Sequence, residues 1–407
     1  MSLPAWRRNQ YVMVATVFVV FTGFAFVLPF LPLYVKELGV ADDERAALWA
    51  GVLIGVAPLL AGLLAPFWGR LADRHGHKPM ALRALGAYVV LLALSAGVTS
   101  VWQLFVLRAG IGLFGGIGPL GLAMATSLAP REETGRAVGL VQSAQILSAA
   151  IGPFVGGFLA DVIGIRATFL VTALVCAAAL ALVVLWYREA PRRGPEQPAA
   201  LSVPFAEVLR IRQVPALLAI LFFVNFIGRS FTPILPLHLM GLGVPGGRVA
   251  FLTGILISVY SIAAALSAAL LGRESRRRSP RRLLWATLIA GAATVLPMAA
   301  VSSYAQFVGL AVALGLASGG SLTLCYTLGG LMVPAERRAT AFGFFSGAAL
   351  FGGSVAPVVA GLLAHWRLHA IYYLDGLLYL GLAAALPAAA RHAEEAASRG
   401  ASPGGDA

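Results

Sequence analysis

The chain has 407 residues, 59% hydrophobic and 12% charged, with mean hydropathy +0.86 and formal net charge +13. A soluble domain is roughly a quarter charged, and a disordered chain needs low hydrophobicity, so both classes are excluded. The basic residues sit in short clusters between long apolar runs rather than on one solvated face, which excludes a nucleic-acid binder and leaves a polytopic membrane protein.

Twelve runs are apolar and long enough to cross a bilayer as helices: about 11–34, 47–68, 80–99, 101–124, 137–160, 167–187, 214–240, 249–271, 283–301, 304–330, 339–363 and 367–390. They do not alternate in polarity, so a membrane barrel is excluded. The first follows Arg7 and Arg8, is too long for a signal-peptide core and lacks an A-x-A exit, so it reads as span 1. With the N-terminus in the cytoplasm, cytoplasmic segments hold 23 of the 30 Lys and Arg and the opposite side 5; Arg108 and Arg229 fall inside spans 4 and 7. That imbalance predicts both termini inside. Cys176 and Cys325 lie within spans and give neither a disulfide framework nor a zinc spacing.

The Pro-rich polar stretch 188–213 reads as a cytoplasmic linker between two six-helix halves, 1–187 and 214–390, with a short cytoplasmic tail at 391–407. The halves overlay at an offset of 203 or 204. Pro29-Phe30-Leu31-Pro32-Leu33 matches Pro233-Ile234-Leu235-Pro236-Leu237, Gly51 matches Gly254, and Gly139, Pro153 and Gly157 match Gly343, Pro357 and Gly361. Parallel six-helix repeats about an axis along the membrane normal rock around a central site, which predicts a transporter working by alternating access.

Three motifs follow in chain order. Gly69 to Lys78 reads GRLADRHGHK, between spans 2 and 3. Its spaced glycines suit a tight cytoplasmic turn, and Asp73 suits the positive N-terminus of a neighbouring helix. Span 4 carries Arg108-Ala-Gly-Ile-Gly112; an arginine at membrane depth is a functional-site candidate. Span 5 carries Gly139, Ser148, Gly152, Pro153, Gly156 and Gly157, a proline kink among small residues that let another backbone approach.

These motifs resemble motif A (GxLaDrxGrk), motif B (RxxxG) and motif C (Gx8Gx3GPx2GG, here with Ser148 for one glycine) of the major facilitator superfamily. The resemblance covers nearly the whole chain and is closest to the twelve-span drug:proton antiporters of bacteria, the MdtG-like multidrug efflux group, whose typical sequences Pro29 to Tyr34 and Pro66 to Gly69 are similar to. It implies an all-α membrane fold of twelve helices, a location in the bacterial cytoplasmic membrane, no cofactor, and small-molecule substrate and protons as partners of a monomer in the bilayer. It also implies a latch of Gly69, Asp73, Arg74, Gly76 and Lys78 that closes on span 11 near 339–341, proton coupling at Arg108 with Gly112, and export by antiport through motif C. The second-half counterpart of motif A, 272–282, has Arg276 at the acid position and reads as topology and anionic-lipid contact.

Spans 1, 4, 7 and 10 of such a fold mainly line the cavity, helped by 2, 5, 8 and 11. The candidates are Phe26 and Phe30, Gln142 and Gln145, Asn225 and Arg229 one turn apart, Tyr260 and Tyr326. Many cation-exporting relatives carry a carboxylate in span 1, and this chain has none there. With Asp161 and Asp375 counted near outer span ends, the cavity holds two arginines and no obvious acid. Like charges repel strongly in a low dielectric, which points to a neutral, zwitterionic or anionic amphiphile. The alternative is a transporter of one metabolite, such as a sugar, organic anion or siderophore. A membrane-embedded enzyme needs clustered His, Asp or Glu at membrane depth, and the sequence offers no such catalytic set. Gly241 to Gly246 fits GxGxxG but follows no strand and reads as a turn; His365 and His369 lack a third metal ligand; Asp42, Asp43 and Glu44 read as a solvated outer loop.

Overall fold

A computed structural model describes residues 4–126, 133–189, 214–332 and 338–400, without the side chains of 5, 66, 73, 119, 122, 126, 134, 135, 330–332, 338–343 and 387–400. All regular structure among the described residues is helical. Lipid offers the backbone no hydrogen-bond partner, so apolar runs of this length must satisfy their N–H and C=O groups internally. Nine described helices are long and apolar enough to cross a membrane. A tenth span is the pair Val214–Ser230 and Leu235–Gly241, bent by 42°, and the shorter apolar helices Val101–Leu113 and Ala370–Leu386 occupy the places of spans 4 and 12.

The breaks repeat between the halves. Span 1 runs as Ala5–Val27, a 3-10 turn Leu28–Phe30, and Leu31–Glu37; span 7 breaks at the matching point, between Ser230 and Leu235. Pro29 and Pro32, and Pro233 and Pro236, remove the donors that would continue each helix. Span 4, read from sequence as one run, is divided into Val101–Leu113 and Ile117–Thr126 by Gly115 and Gly116, the latter at φ +109°. Span 10 divides at Gly319 and Gly320, the same positions one repeat on, into Tyr304–Ser318 and Ser321–Met332.

The remaining spans are Asp43–His75 (2), His77–Ala96 (3), Thr134–Ile163 (5), Ile165–Trp186 (6), Val249–Glu274 (8), Pro280–Val295 with the 3-10 turn Leu296–Ala300 (9), Arg338–Ala364 (11) and Ala370–Gly400 (12). Within each half, the first span packs on the fifth: span 1 on span 5, span 7 on span 11. The halves meet along two seams, span 5 against span 8 and span 2 against span 11. Cys176 and Cys325 are free and buried. Apart from Arg188 and Glu189, the expected linker lies outside the described residues.

Candidate transport site and its outer seal

The motif C residues of span 5 face two neighbours. Toward span 1, Ser148 Oγ lies 2.8 Å from Ala144 O and 2.9 Å from Phe18 O. A Cβ on Gly152 would overlap Ala25, and one on Gly156 would overlap the Phe26 backbone. Toward span 8, Gly157 lies against the backbone of Ala250 and Phe251, and Gly254 against the carbonyl of Pro153. Proline disturbs the local helical bonding, and the N–H of the next residue, Phe154, donates to Ser258 Oγ at 3.1 Å.

The second seam repeats this one. Gly352, the counterpart of Ser148, abuts the Phe222 backbone of span 7; Gly51 abuts Pro357, and Gly361 abuts Ala47 and Leu48. Gly55 meets Ser354 O and Val358 where its counterpart Ser258 meets Phe154. Both seams lie at the end remote from the arginine-rich loops, and together they close that end, called outer below on the positive-inside rule. Toward the basic end, a Cβ on Gly62, Gly69 or Gly139 would meet nothing within 4 Å. There spans 5 and 8 diverge around a cleft lined by Ser143, Ile146, Leu147, Ala150, Ile262 and Ala265.

At the basic end Gly76 makes the turn between spans 2 and 3 at φ +98°, a conformation that favours glycine. Glu189 accepts from the N–H groups of His77 at 3.0 Å and Lys78 at 2.7 Å, capping span 3. Lys78 Nζ donates to Val184 O at 3.1 Å and Tyr187 O at 2.7 Å, so it ties span 3 to the end of span 6. Arg74 is exposed. The Asp73 side chain and those of 339–341 lie outside the described residues. Glu189 falls within the stretch expected as a linker, and its sequence gives no sign of this cap.

At membrane depth the candidates separate. Arg108 is 1% exposed, and its Nε and Nη2 have no hydrogen-bond partner among the described residues. Gly112 brings span 4 onto Ala57 and Leu60 of span 2. Arg229, by contrast, is exposed, with its side chain along Gly353 of span 11 and near Tyr260. Among the described residues no carboxylate pairs with it. Asn225 is half-buried one turn away, Tyr260 packs edge-on against Phe231, and Tyr326 OH lies 3.3 Å from Ser346 Oγ. Gln142 is exposed and Gln145 half-buried. Phe30 is fully buried and Phe26 nearly so, and both pack in the core of this structure.

One acidic residue departs from its expected place, and two others have partners that were not expected. Asp375, counted by sequence with the outer surface, is 0% exposed, and Ser230 Oγ lies 2.5 Å from its Oδ2 at the break of span 7. Asp161 accepts the N–H of Phe251 at 2.8 Å. Asp42, read as plain loop, is the N-cap of span 2 and accepts the N–H of Glu44 at 3.3 Å. His369 lies beside His238, with ring centroids 4.2 Å apart and the rings tilted at 57°. Among the described residues no group of three His, Cys, Asp or Glu converges as a metal site.

Residues 13–299 and 247–406 match the family model of the Major Facilitator Superfamily. The multidrug resistance protein MdtG of Proteus mirabilis is 34% identical over 326 residues, 80% of this chain and 81% of its own length. That of Escherichia fergusonii is 36% identical, covering 79% of each chain, and that of Enterobacter lignolyticus is 32% identical, covering 92% and 90%. A bacterial homologue of the human lysosomal transporter Spinster superposes with TM-score 0.80 over 96% of this chain and 98% of its own at 16% identity. A D-xylose–proton symporter does so with TM-score 0.73 over 93% and 96% at 15% identity.

Proposed function

This chain belongs to the major facilitator superfamily, a multi-pass membrane transporter family, and within it we propose that the chain exports small amphiphilic compounds from a bacterial cytoplasm in exchange for protons. The observation that carries the reading is the pair of symmetry-related glycine seams. Backbone packed directly on backbone closes the outer end tightly, and no ion pair among the described residues crosses either seam. Rocking of one half against the other opens that end and closes the basic one, which is alternating access. Direction is supported by relatives named for multidrug resistance and by the motif C residues, which build one of the two seams.

Arg229 is the substrate-orienting group in this reading, with Asn225 beside it and the aromatic ring of Tyr260 in reach. A guanidinium without a carboxylate favours anionic, zwitterionic or neutral amphiphiles and repels permanent cations. The motif A residues Gly69, Asp73, Arg74, Gly76 and Lys78 close the cytoplasmic side in the other state, Asp73 at the N-terminus of span 11. Transport needs no second copy, so the working unit is a monomer.

A deletion strain screened against chemically varied compounds identifies the substrates, and reconstituted protein then reports coupling. Addition of a compound so identified should release protons across the proteoliposome membrane. Export unchanged by an uncoupler would defeat antiport, and lost resistance confined to lipophilic cations would defeat the assignment of charge.

A further inference from the structure

Asp375 is buried beyond any contact with solvent, and its Oδ1 has no hydrogen-bond partner among the described residues. Its Oδ2 lies 2.5 Å from Ser230 Oγ, the last residue before the break in span 7. That hydroxyl is also 3.0 Å from Ile227 O. One hydroxyl proton cannot serve two acceptors. If the carboxyl is neutral, its O–H donates to Ser230 Oγ and Ser230 donates to Ile227 O, so both contacts are made. If it is ionised, one acceptor is left without a donor and a charge lies in an apolar site without a counter-ion.

The groups facing Asp375 are mostly uncharged. Tyr372 and Tyr379 of its own helix and Tyr260 of span 8 are close enough to interact with it. Span 9 presents Leu296 to the adjoining Gly376, and neither 283–301 nor 339–364 contains an ionisable residue. Arg229 is next to Ser230 but lies along Gly353 of span 11. On the outer side, Tyr372 OH lies 3.1 Å from His238 Nδ1, and His238 adjoins half-buried His369 in the outer loop. His369, His238, Tyr372, Asp375 and Ser230 thus form a polar file from the outer loop to the break of span 7.

We propose that Asp375 is the proton-carrying group of the transport cycle, neutral in the state seen here and ionised once its proton has left toward the cytoplasm. This rests on the antiport reading above. The step is a proton transfer alone: the carboxylate takes one proton from the outer solution along the histidine–tyrosine file, and the same proton leaves on the cytoplasmic side. Ionisation breaks the accounting at Ser230 and so biases span 12 against the outer segment of span 7, one residue from Arg229. The chain thereby has no acid in span 1 other than the exposed Glu37 at its outer end, yet retains a site for protons.

The test uses the full-length reconstituted protein with protons as the only probe, by infrared difference spectroscopy across a pH jump. Wild type should show a buried, protonated carboxyl band that disappears as pH rises, and Asp375→Asn should lose that band. A wild type without the band, or an Asp375→Asn that keeps it, overturns the proposal. Should Asp375→Asn fail to fold, Ser230→Ala replaces it: the band should move because its hydrogen-bond partner is gone, and an unmoved band overturns the proposal. No substrate enters this measurement. Absence of substrate-driven proton release from wild type therefore defeats the antiport reading, whereas an unaltered band in the variants defeats the assignment to Asp375.

Discussion

The Asp161 carboxylate accepts the backbone N–H of Phe251 at 2.8 Å across the seam between the two halves. Span 8 starts at Val249 without a side-chain cap of its own, so an acid from the other half satisfies an amide in its first turn. The symmetry-related seam lacks this feature. The counterpart of Asp161 is His365, and span 2 is capped locally by Asp42. Among the described residues, a carboxylate thus bridges the two halves at one seam only.

Asp161→Ala should loosen that closure. A charge-assisted hydrogen bond at a helix N-terminus contributes about 1.5 kcal/mol, roughly tenfold in the balance between outer-closed and outer-open states. A single cysteine introduced at Ala250, which is buried in this state, should react about tenfold faster with an impermeant maleimide in the Asp161→Ala background. An unchanged rate would mean that the cap adds nothing to closure.

The motif C glycines are not equivalent, and substitution should separate them. A methyl on Gly157 would overlap the Ala250 carbonyl, whereas one on Gly139 meets nothing within 4 Å. Gly157→Ala should cut export at least tenfold and raise outer-side labelling, because overpacking by one methyl costs about 1–3 kcal/mol and falls on the closed state alone. Gly139→Ala should export like wild type and gain up to about 1 kcal/mol in helix stability. Equal defects in both would show that the motif acts through helix flexibility rather than through the seam.

The spans, their repeat and the motif C contacts were legible in the sequence because lipid forces apolar runs, and close helix approach forces glycine. Gly51 and Gly254 correspond at an offset of 203 and Pro153 and Pro357 at 204, and those four residues meet in two matching contacts. The acids were not legible. Asp375 is near a span end in sequence, but helix rotation and the break at Ser230 place it in the interior. Asp161 gains its role only from a helix start 90 residues away. The division of span 4 was not legible either, because Gly115 and Gly116 lie inside one apolar run and only the positive φ at Gly116 marks the break.

Arg108 tests whether a buried cation serves structure or coupling. It is almost wholly enclosed, with two nitrogens unpartnered among the described residues. Replacing buried charge by an apolar side chain of similar volume is often neutral or stabilising, by about 1–4 kcal/mol. Arg108→Met should therefore match or exceed the wild-type Tm while proton-driven export falls at least tenfold. A lower Tm with export intact per folded molecule would assign Arg108 to packing.

Arg229 tests the substrate charge. Its side chain runs beside Gly353, where a Cβ would stand 3.2 Å from Arg229 Cδ. Two substitutions on different helices should then converge. Arg229→Gln removes the guanidinium, and Gly353→Val displaces it by crowding its stem, which a flexible side chain accommodates at about 1 kcal/mol or less. Both should lower export of anionic amphiphiles at least tenfold, since a charge-assisted contact contributes about 1.5–3 kcal/mol, and leave neutral compounds within about threefold of wild type. Arg229→Lys keeps the charge but not the planar fork, so it should fall between them. Because Gly353 belongs to span 11 and Arg229 to span 7, a shared change in selectivity cannot come from damage to one helix. Export of anions at the wild-type level by Arg229→Gln would remove Arg229 from the substrate path.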